Sequence, residues 1–547
     1  MSSSHTIDTV TGKDFLTGEN LADDNFDGIR VQGAASNAHI EAKGTIQITN
    51  IELGHGIRNA STTGTVKAAS ISIVPTGEST KSTGGNGIQN SGIINAGSIM
   101  IDRTATVAIV NNSGAVIDVA AISGTEGADG KITISNVISG NGINNNPSTA
   151  DGGKIKADSI RIDGFTGNGV SNNQGTTALP SIIEVSGLFE VKNGTGGGSI
   201  GISNLGYSKV TAGSIRVYNM TSRGINNRGP LTVSGNVEID TVANFGINFD
   251  GAVNMHTVIG GDLIIKNTGG HAISAAVNGV NLWVKGNAFI DNVTGAVSGN
   301  CNGVRINSGA NNVVIKIDGM LEIKNIATTI AAGHGIYIAN ATGTLDAGVI
   351  VIRPADGGQK SVGGSGIYNN VGTINAGSIS IEKTSAVAIT NNSGGVIEVA
   401  ARPTVTGADG KISVNNVVSG HGIVNNPTTA KGGKIKADAI SVNGFTGNGI
   451  VNNMGTTALP SIIEVTGLFE VKNGTGSGSI GISNLGYSKI TAGSINISNT
   501  GNHAINNRGP LAVSGDVTID TTRGTANGIN NDNAVGSVNI AGVLRLN

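Results

Sequence analysis

One phrase recurs through the chain: Gly or Ala, then Ile or Val, then any residue, then Asn. It reads "HGIRN" at 55–59, "NGIQN" at 86–90, "NGINN" at 141–145 and "HGIVN" at 421–425. Its Ile/Val anchor falls at 29, 57, 88, 109, 143, 170, 202, 225, 247, 273, 304, 336, 367, 389, 423, 450, 482, 505 and 529, which is 19 occurrences 21 to 34 residues apart. A period of this size means stacked supersecondary units, as in solenoids, propellers or arrays. A second phrase follows some residues later, as "INAGSIMI" at 94–101 and "ITAGSINI" at 490–497. Apolar and polar residues alternate within it, so its period is two, and each segment reads as a strand with one face inward and one outward. Gly, Asn, Asp and Ser fill the joints, as turns require. No amphipathic helix of useful length interrupts the pattern. Three short strands per unit suit one coil of a parallel β-helix, and propeller and leucine-rich signatures are absent.

A longer repeat encloses the short one. "GTTALPSIIEVSGLFEVKNGTGGGSIGISNLGYSKVTAGSI" begins at Gly175, and the segment from Gly455 differs from it at three positions, Ser186/Thr466, Gly197/Ser477 and Val210/Ile490. The flanking sequence, about 83–240 and 363–520, aligns at an offset near 280. The expected organisation is a cap or assembly segment over 1–27 and one continuous β-helix over 28–547.

Two residues after the anchor, Asn recurs as Asn59, Asn90, Asn111, Asn145, Asn172, Asn204 and Asn227, and again as Asn369, Asn391, Asn425, Asn452, Asn484, Asn507 and Asn531. Between the runs the position becomes Phe249, Ala275, Ile306 and Ile338. Stacked coils place equivalent side chains about 4.8 Å apart. A carboxamide carries donors and an acceptor, so such a column bonds rung to rung. In this the chain resembles right-handed parallel β-helix proteins with Asn ladders. In composition it is similar to bacterial surface proteins of the haemagglutinin, adhesin and surface-layer kind. The resemblance implies an all-β solenoid of about 19 coils. At the rung spacing these make a rod of about 90 Å.

Composition narrows the chemistry. Gly 87 with Pro 9 excludes collagen. A formal net charge of −2 with no basic patch gives nucleic-acid binding no support. Cys301 is the one cysteine, so no internal disulfide forms. No stretch approaches the roughly 20 apolar residues of a membrane span, and residues 1–27 contain no apolar run of signal-peptide length.

The candidate sites are few. His55, His271, His334, His421 and His503 each stand two residues before an anchor, but never in adjacent coils, so the expectation is a polar turn residue and not a metal column. Asp23, Asp24 and Asp27 in "LADDNFDG" are the candidate calcium ligands, though they depart from the EF-hand pattern. No other cofactor is implied. The rest of 1–27 is expected to cap the first coil through Phe15, Leu16, Leu21 and Phe26. Asp240, Lys266, Asp291, Lys324, Arg353 and Glu382 mostly alternate in sign, which suggests a salt-linked outer edge. Tyr337 and Tyr368 occupy the same place in successive coils and suggest a ladder of rings, with a sugar platform as the other reading. No stack of carboxylates with the separation needed for sugar hydrolysis stands out.

The expected function is therefore non-enzymatic: an extracellular structural protein displayed on or assembled at a microbial cell surface, as a surface-layer, fibre or adhesin subunit. Its expected partners are other copies of itself, joined end to end, and surface polysaccharide. The strand pattern of 537–547 leaves room for the natural chain to continue past Asn547. The alternative is a polysaccharide-binding or -cleaving β-helix such as a phage tailspike or a lyase.

Overall fold

The computed structural model describes the chain except residues 1–4, 9–26, 34–36, 78, 146–151, 174, 252–255, 296–300, 328, 330–332, 393, 427–431, 454–455, 523–525 and 533–534. Every element among the described residues is a strand. The chain forms two compact units, 1–261 and 262–547.

In unit 1 a coil consists of three strands, for example Ile88–Asn90, Ile93–Ala96 and Ile99–Asp102. The next coil repeats them as Ile109–Asn111, Val116–Val119 and Lys131–Ser135. All three pairs are parallel and in register, with Ile88 beside Ile109, Ile94 beside Ile117 and Ile99 beside Ile132. Unit 2 has the same plan, as in Ile389–Asn392, Val396–Val399 and Lys411–Asn415. Each of the 19 anchors is the first residue of a three- or four-residue corner strand. The fold is thus the parallel β-helix that the repeat predicts. Alternation puts Ile88, Ile94, Ile99 and Ile101 inside, at 0–1% exposure, and leaves their polar neighbours outside. Phe165, Phe189, Phe249, Phe445 and Phe469 are also buried.

The second and third strands of some coils fuse across a bend. Ile182–Gly194 and Val314–Ile326 are examples, and in both the register slips by one residue at the bend. The extra residue there is Gly187 or Gly319. A side chain on Gly319 would strike the Asn287 carboxamide of the neighbouring coil, so the bulge needs glycine.

The Asn ladder is present in both units and is directional. In unit 1 each Nδ2 donates to the Oδ1 of the next coil's Asn: Asn59 to Asn90 (3.1 Å), Asn90 to Asn111 (3.0 Å), Asn111 to Asn145 (3.0 Å), Asn145 to Asn172 (2.9 Å), Asn172 to Asn204 (3.0 Å) and Asn204 to Asn227 (2.8 Å). Unit 2 repeats this from Asn369 to Asn391 (2.8 Å), Asn425 (3.0 Å), Asn452 (3.0 Å), Asn484 (3.0 Å), Asn507 (2.9 Å) and Asn531 (2.9 Å). Nδ2 also donates to the carbonyl of the turn that follows, as Asn145 does to Gly153 (2.9 Å). Every ladder Asn but Asn531 is fully buried.

The ladder ends are handled differently. Asn227 closes the first ladder by donating to Thr257 Oγ1 (2.9 Å). Asn369 opens the second behind Ile338, and its Oδ1 accepts from the Gly372 amide (3.0 Å). Asn59 opens the first behind Val31, and its buried Oδ1 has no hydrogen-bond partner among the described residues. Phe249, Ala275, Ile306 and Ile338 pack as fully buried apolar residues.

Replacing an interior rung should therefore cost more than replacing an end. Asn145→Ala strips a donor from Asn172 and an acceptor from Asn111, for an expected loss of about 2–4 kcal/mol. Asn531→Ala, at an exposed end, should cost under about 1 kcal/mol. Urea denaturation followed by circular dichroism checks the order, and equal losses would contradict the ladder's role.

Candidate functional site

The corner strands carry the chemistry-bearing side chains, in columns fixed by register. Two residues before the anchor, each of the five histidines accepts a backbone N–H from the next coil at Nδ1. His55 accepts from Asn86 (2.8 Å), His271 from Asn302 (3.0 Å), His334 from Ser365 (3.0 Å), His421 from Asn448 (2.8 Å) and His503 from Asn527 (2.9 Å). Asn does the same at this position: Asn141 Oδ1 accepts from the Asn168 amide (2.7 Å) and Asn302 Oδ1 from the His334 amide (3.0 Å). The histidines are turn residues that bond rung to rung. Among the described residues no group of three His, Cys, Asp or Glu is placed to hold a metal.

Asp27 belongs to this column too. Its Oδ1 accepts from the His55 amide (2.9 Å), and its Oδ2 lies 4.0 Å from Arg30 Nε. Asp23 and Asp24, the other two candidate calcium ligands, lie outside the described residues. So do Phe15, Leu16, Leu21 and Phe26.

An imidazole can accept at Nδ1 only while that nitrogen is unprotonated. Burial lowers the pKa of His55 and His421, and pushes His334 down to about 4. His271 is pushed down to about 3 by burial, with the Arg305 charge adding to it. Arg305 Nη1 approaches His271 Nε2 to 2.6 Å, and its guanidinium lies over the Tyr337 ring at 5.9 Å. Tyr337 stacks on Tyr368 at 5.5 Å and 19°, and His334 packs against both at 5.7 and 5.0 Å. The expected ring ladder exists, and its ring faces are turned toward one another.

Two other clusters face outward on the remaining strands. In unit 2, Trp283 Nε1 donates to Asp318 (2.8 Å), while Lys285 and Lys316 lie 5.0 and 4.6 Å from its ring centre. In unit 1, Arg161, Glu190, Arg216 and Glu238 align across four coils. Arg161 is 3.2 Å from Glu190, and Arg216 is 3.8 Å from Glu190 and 3.1 Å from Glu238.

The salt-linked edge proposed from the alternating signs needs correction. Lys266, Asp291 and Lys324 do align. Yet Lys324 pairs with Glu322 of its own strand (3.0 Å), Arg353 pairs with the same Glu322 (2.7 Å), and Asp291 accepts from Asn325 (2.8 Å). Carboxylates at the edge are taken by a second, outer Asn column that sequence reasoning missed. Asn193, Asn219, Asn267, Asn292, Asn325, Asn473 and Asn499 each adopt a left-handed backbone, with φ between 52° and 59°. Asn tolerates this conformation better than other residues with a side chain. Asn219 donates to Asn193 (2.9 Å), and Asn499 to Asn473 (3.1 Å). The signal was present as Ile/Val–x–Asn within the third strands, where it mimics the corner phrase.

The histidine column makes stability depend on pH. A histidine whose folded pKa lies below 6.5 stabilises the fold fully above about pH 6.5, where both states are neutral. Below that the unfolded chain takes up protons first, so the contribution is lost as pH falls toward 4. For His271 and His334 together the loss is on the order of a few kcal/mol. His271→Asn/His334→Asn keeps the rung-to-rung bond without the titration. Its melting temperature should fall less than the parent's between about pH 6.5 and 4, and parallel curves would refute the assignment.

Comparison with known proteins finds no family model, no curated protein and no solved structure that matches the chain, so its function is argued from the parallel β-helix and its side-chain columns.

Proposed function

We propose that the chain is a non-enzymatic extracellular structural protein, a rigid elongated scaffold displayed on or assembled at a microbial cell surface. It serves as a surface-layer, fibre or adhesin subunit, built as one continuous solenoid over 28–547. The observation that carries this reading is the duplicated interior. The ladder of unit 1 from Asn90 to Asn227 has a rung-for-rung counterpart from Asn369 to Asn507. Copying coils lengthens a scaffold without altering its cross-section, which serves a mechanical role. A catalytic β-helix gains little from a second copy of its framework. The surface-protein resemblance in composition supports the location.

End-to-end association is part of the proposal.

Negative-stain electron microscopy of the purified protein tests the proposal. Rods that join into filaments or lattices are the expected outcome. Compact trimers, or turnover of a polysaccharide in a degradation screen, would replace it with the tailspike or lyase reading.

A further inference from the structure

The duplication permits a comparison of the molecule with itself. Inward residues of the two copies match because they share a core. Outward residues have no such reason to match, yet on one face they do. The second strands carry two outward columns, which begin at Ile93 and Asn95 in unit 1 and at Thr373 and Asn375 in unit 2. Over six coils, nine of their twelve residues are identical in the two units. The third strands carry two outward columns that begin at Met100 and Asp102, and over the same coils three of their twelve residues are identical. Charge on the retained face is balanced. In unit 1, Lys154, Lys156 and Lys209 stand with Asp118, Asp158 and Glu184, and unit 2 repeats the balance with Glu398 in place of Asp118. A face without net charge selects neither a polyanion nor a polycation.

At the start of that face lies an exposed apolar patch. Leu179 and Tyr207 are 50% and 55% exposed, in the turns that lead into two successive second strands, and half-buried Ile182 opens the first of these strands. Leu459, Ile462 and Tyr487 repeat the patch in unit 2. Of the five tyrosines, Tyr207 and Tyr487 are the exposed ones. The turn that carries Leu179 is fixed: Thr176 Oγ1 accepts from the Leu179 amide (3.0 Å), and Thr456 holds Leu459 in the same way (3.0 Å). Lys209 lies beside Ile182 in register, exposed and without an ion pair among the described residues. Lys489 lies beside Ile462 likewise. Exposed apolar groups rimmed by charge mark contact surfaces, and tyrosine is enriched in them.

We infer that this patch binds a second copy of the chain, face to face about a two-fold axis, and that each unit carries one such contact. The inference rests on the scaffold reading above and names a surface by which copies join side by side. A two-fold that runs along the strands, midway between the coil of Ile182 and the coil of Lys209, exchanges those coils and keeps strand direction. It sets Leu179 against the partner's Tyr207, and Tyr207 against the partner's Leu179. It lays the Lys209 stem over the partner's Ile182, with the ammonium beside the partner's Glu184 two residues along the strand. Every contact is thus made twice. A neutral face that is complementary to itself fits its own copy better than a polyion of either sign. Two patches per chain let assembly continue past a pair, because a chain joined through one patch still carries the other.

The test uses the full chain in sedimentation velocity over a concentration series. The parent should self-associate reversibly below roughly 100 µM. Tyr207→Ser/Tyr487→Ser should weaken that association at least about ten-fold, as for loss of a central aromatic contact. Lys209→Glu/Lys489→Glu and, separately, Glu184→Lys/Glu464→Lys should each abolish it by placing like charges across the contact. Glu184 also pairs with Lys154 (3.1 Å), but an ion pair at the surface carries little stability, so melting temperatures should match the parent's. Mixed in equal amounts, the two charge variants should associate again, since in the mixed pair every acidic position faces a basic one. That rescue separates a contact between copies from a structural effect within one chain. A monomeric parent, association untouched by the tyrosine variant, or no rescue on mixing would overturn the inference. A monomeric parent that co-sediments with dextran would assign the patch to a neutral sugar instead. Filaments that form end to end and are unchanged by the tyrosine variant would overturn the inference and leave the scaffold reading standing. Pairs rescued by mixing, in a protein that forms neither filaments nor lattices, would do the reverse.

Discussion

A buried carboxamide with a partner on each side is the interaction on which this molecule depends. Asn is costly to bury unless its donors and acceptor are matched. Stacking matches them, because every coil presents the same group at the same place. Asn145, for example, accepts from Asn111 and donates to both Asn172 and its own turn. The cost of burial becomes a cost of misregister: a coil that slipped by one residue would turn Asn to the other face, and one that slipped by two would bury it against Ile. The ladder therefore specifies register as well as adding stability, which aliphatic packing alone does less sharply.

Around that column the rest is built from the same kind of bond. The pre-anchor residue, whether Asp27, His55, Asn141 or His334, accepts an amide from the coil beyond it. The outer Asn column supports the bends with left-handed residues. Where the inner ladder gives way to Phe249, Ala275, Ile306 and Ile338, dry packing takes over, and less repetitive chemistry gathers outside it. Arg305, Tyr337 and Trp283 all belong to this stretch between the two copies.

Much of this was legible in the sequence, because a solenoid writes its geometry into a period. The anchors located every corner strand, and the Asn phrase located the ladder. The histidines read as turn residues for the right reason: their positions are shared with Asn. The outer Asn column was hidden because its phrase resembles the corner phrase and its function depends on backbone conformation. The ion pairs were misassigned because alternating sign along a column does not say which neighbour a flexible lysine reaches. Lys324 found a glutamate two residues away on its own strand. The apolar patch at the start of the second-strand face could not be seen as a unit until register showed which residues share that face.

The ladder's one-way direction carries a consequence for how such a chain changes. A whole coil removed between Asn111 and Asn172 would bring together a donor and an acceptor already oriented for each other, and the seam would heal without a compensating substitution. A fractional coil would leave both orphaned. Length in this architecture is thus quantised, and whole-unit gain or loss is the mutation to which it is most tolerant.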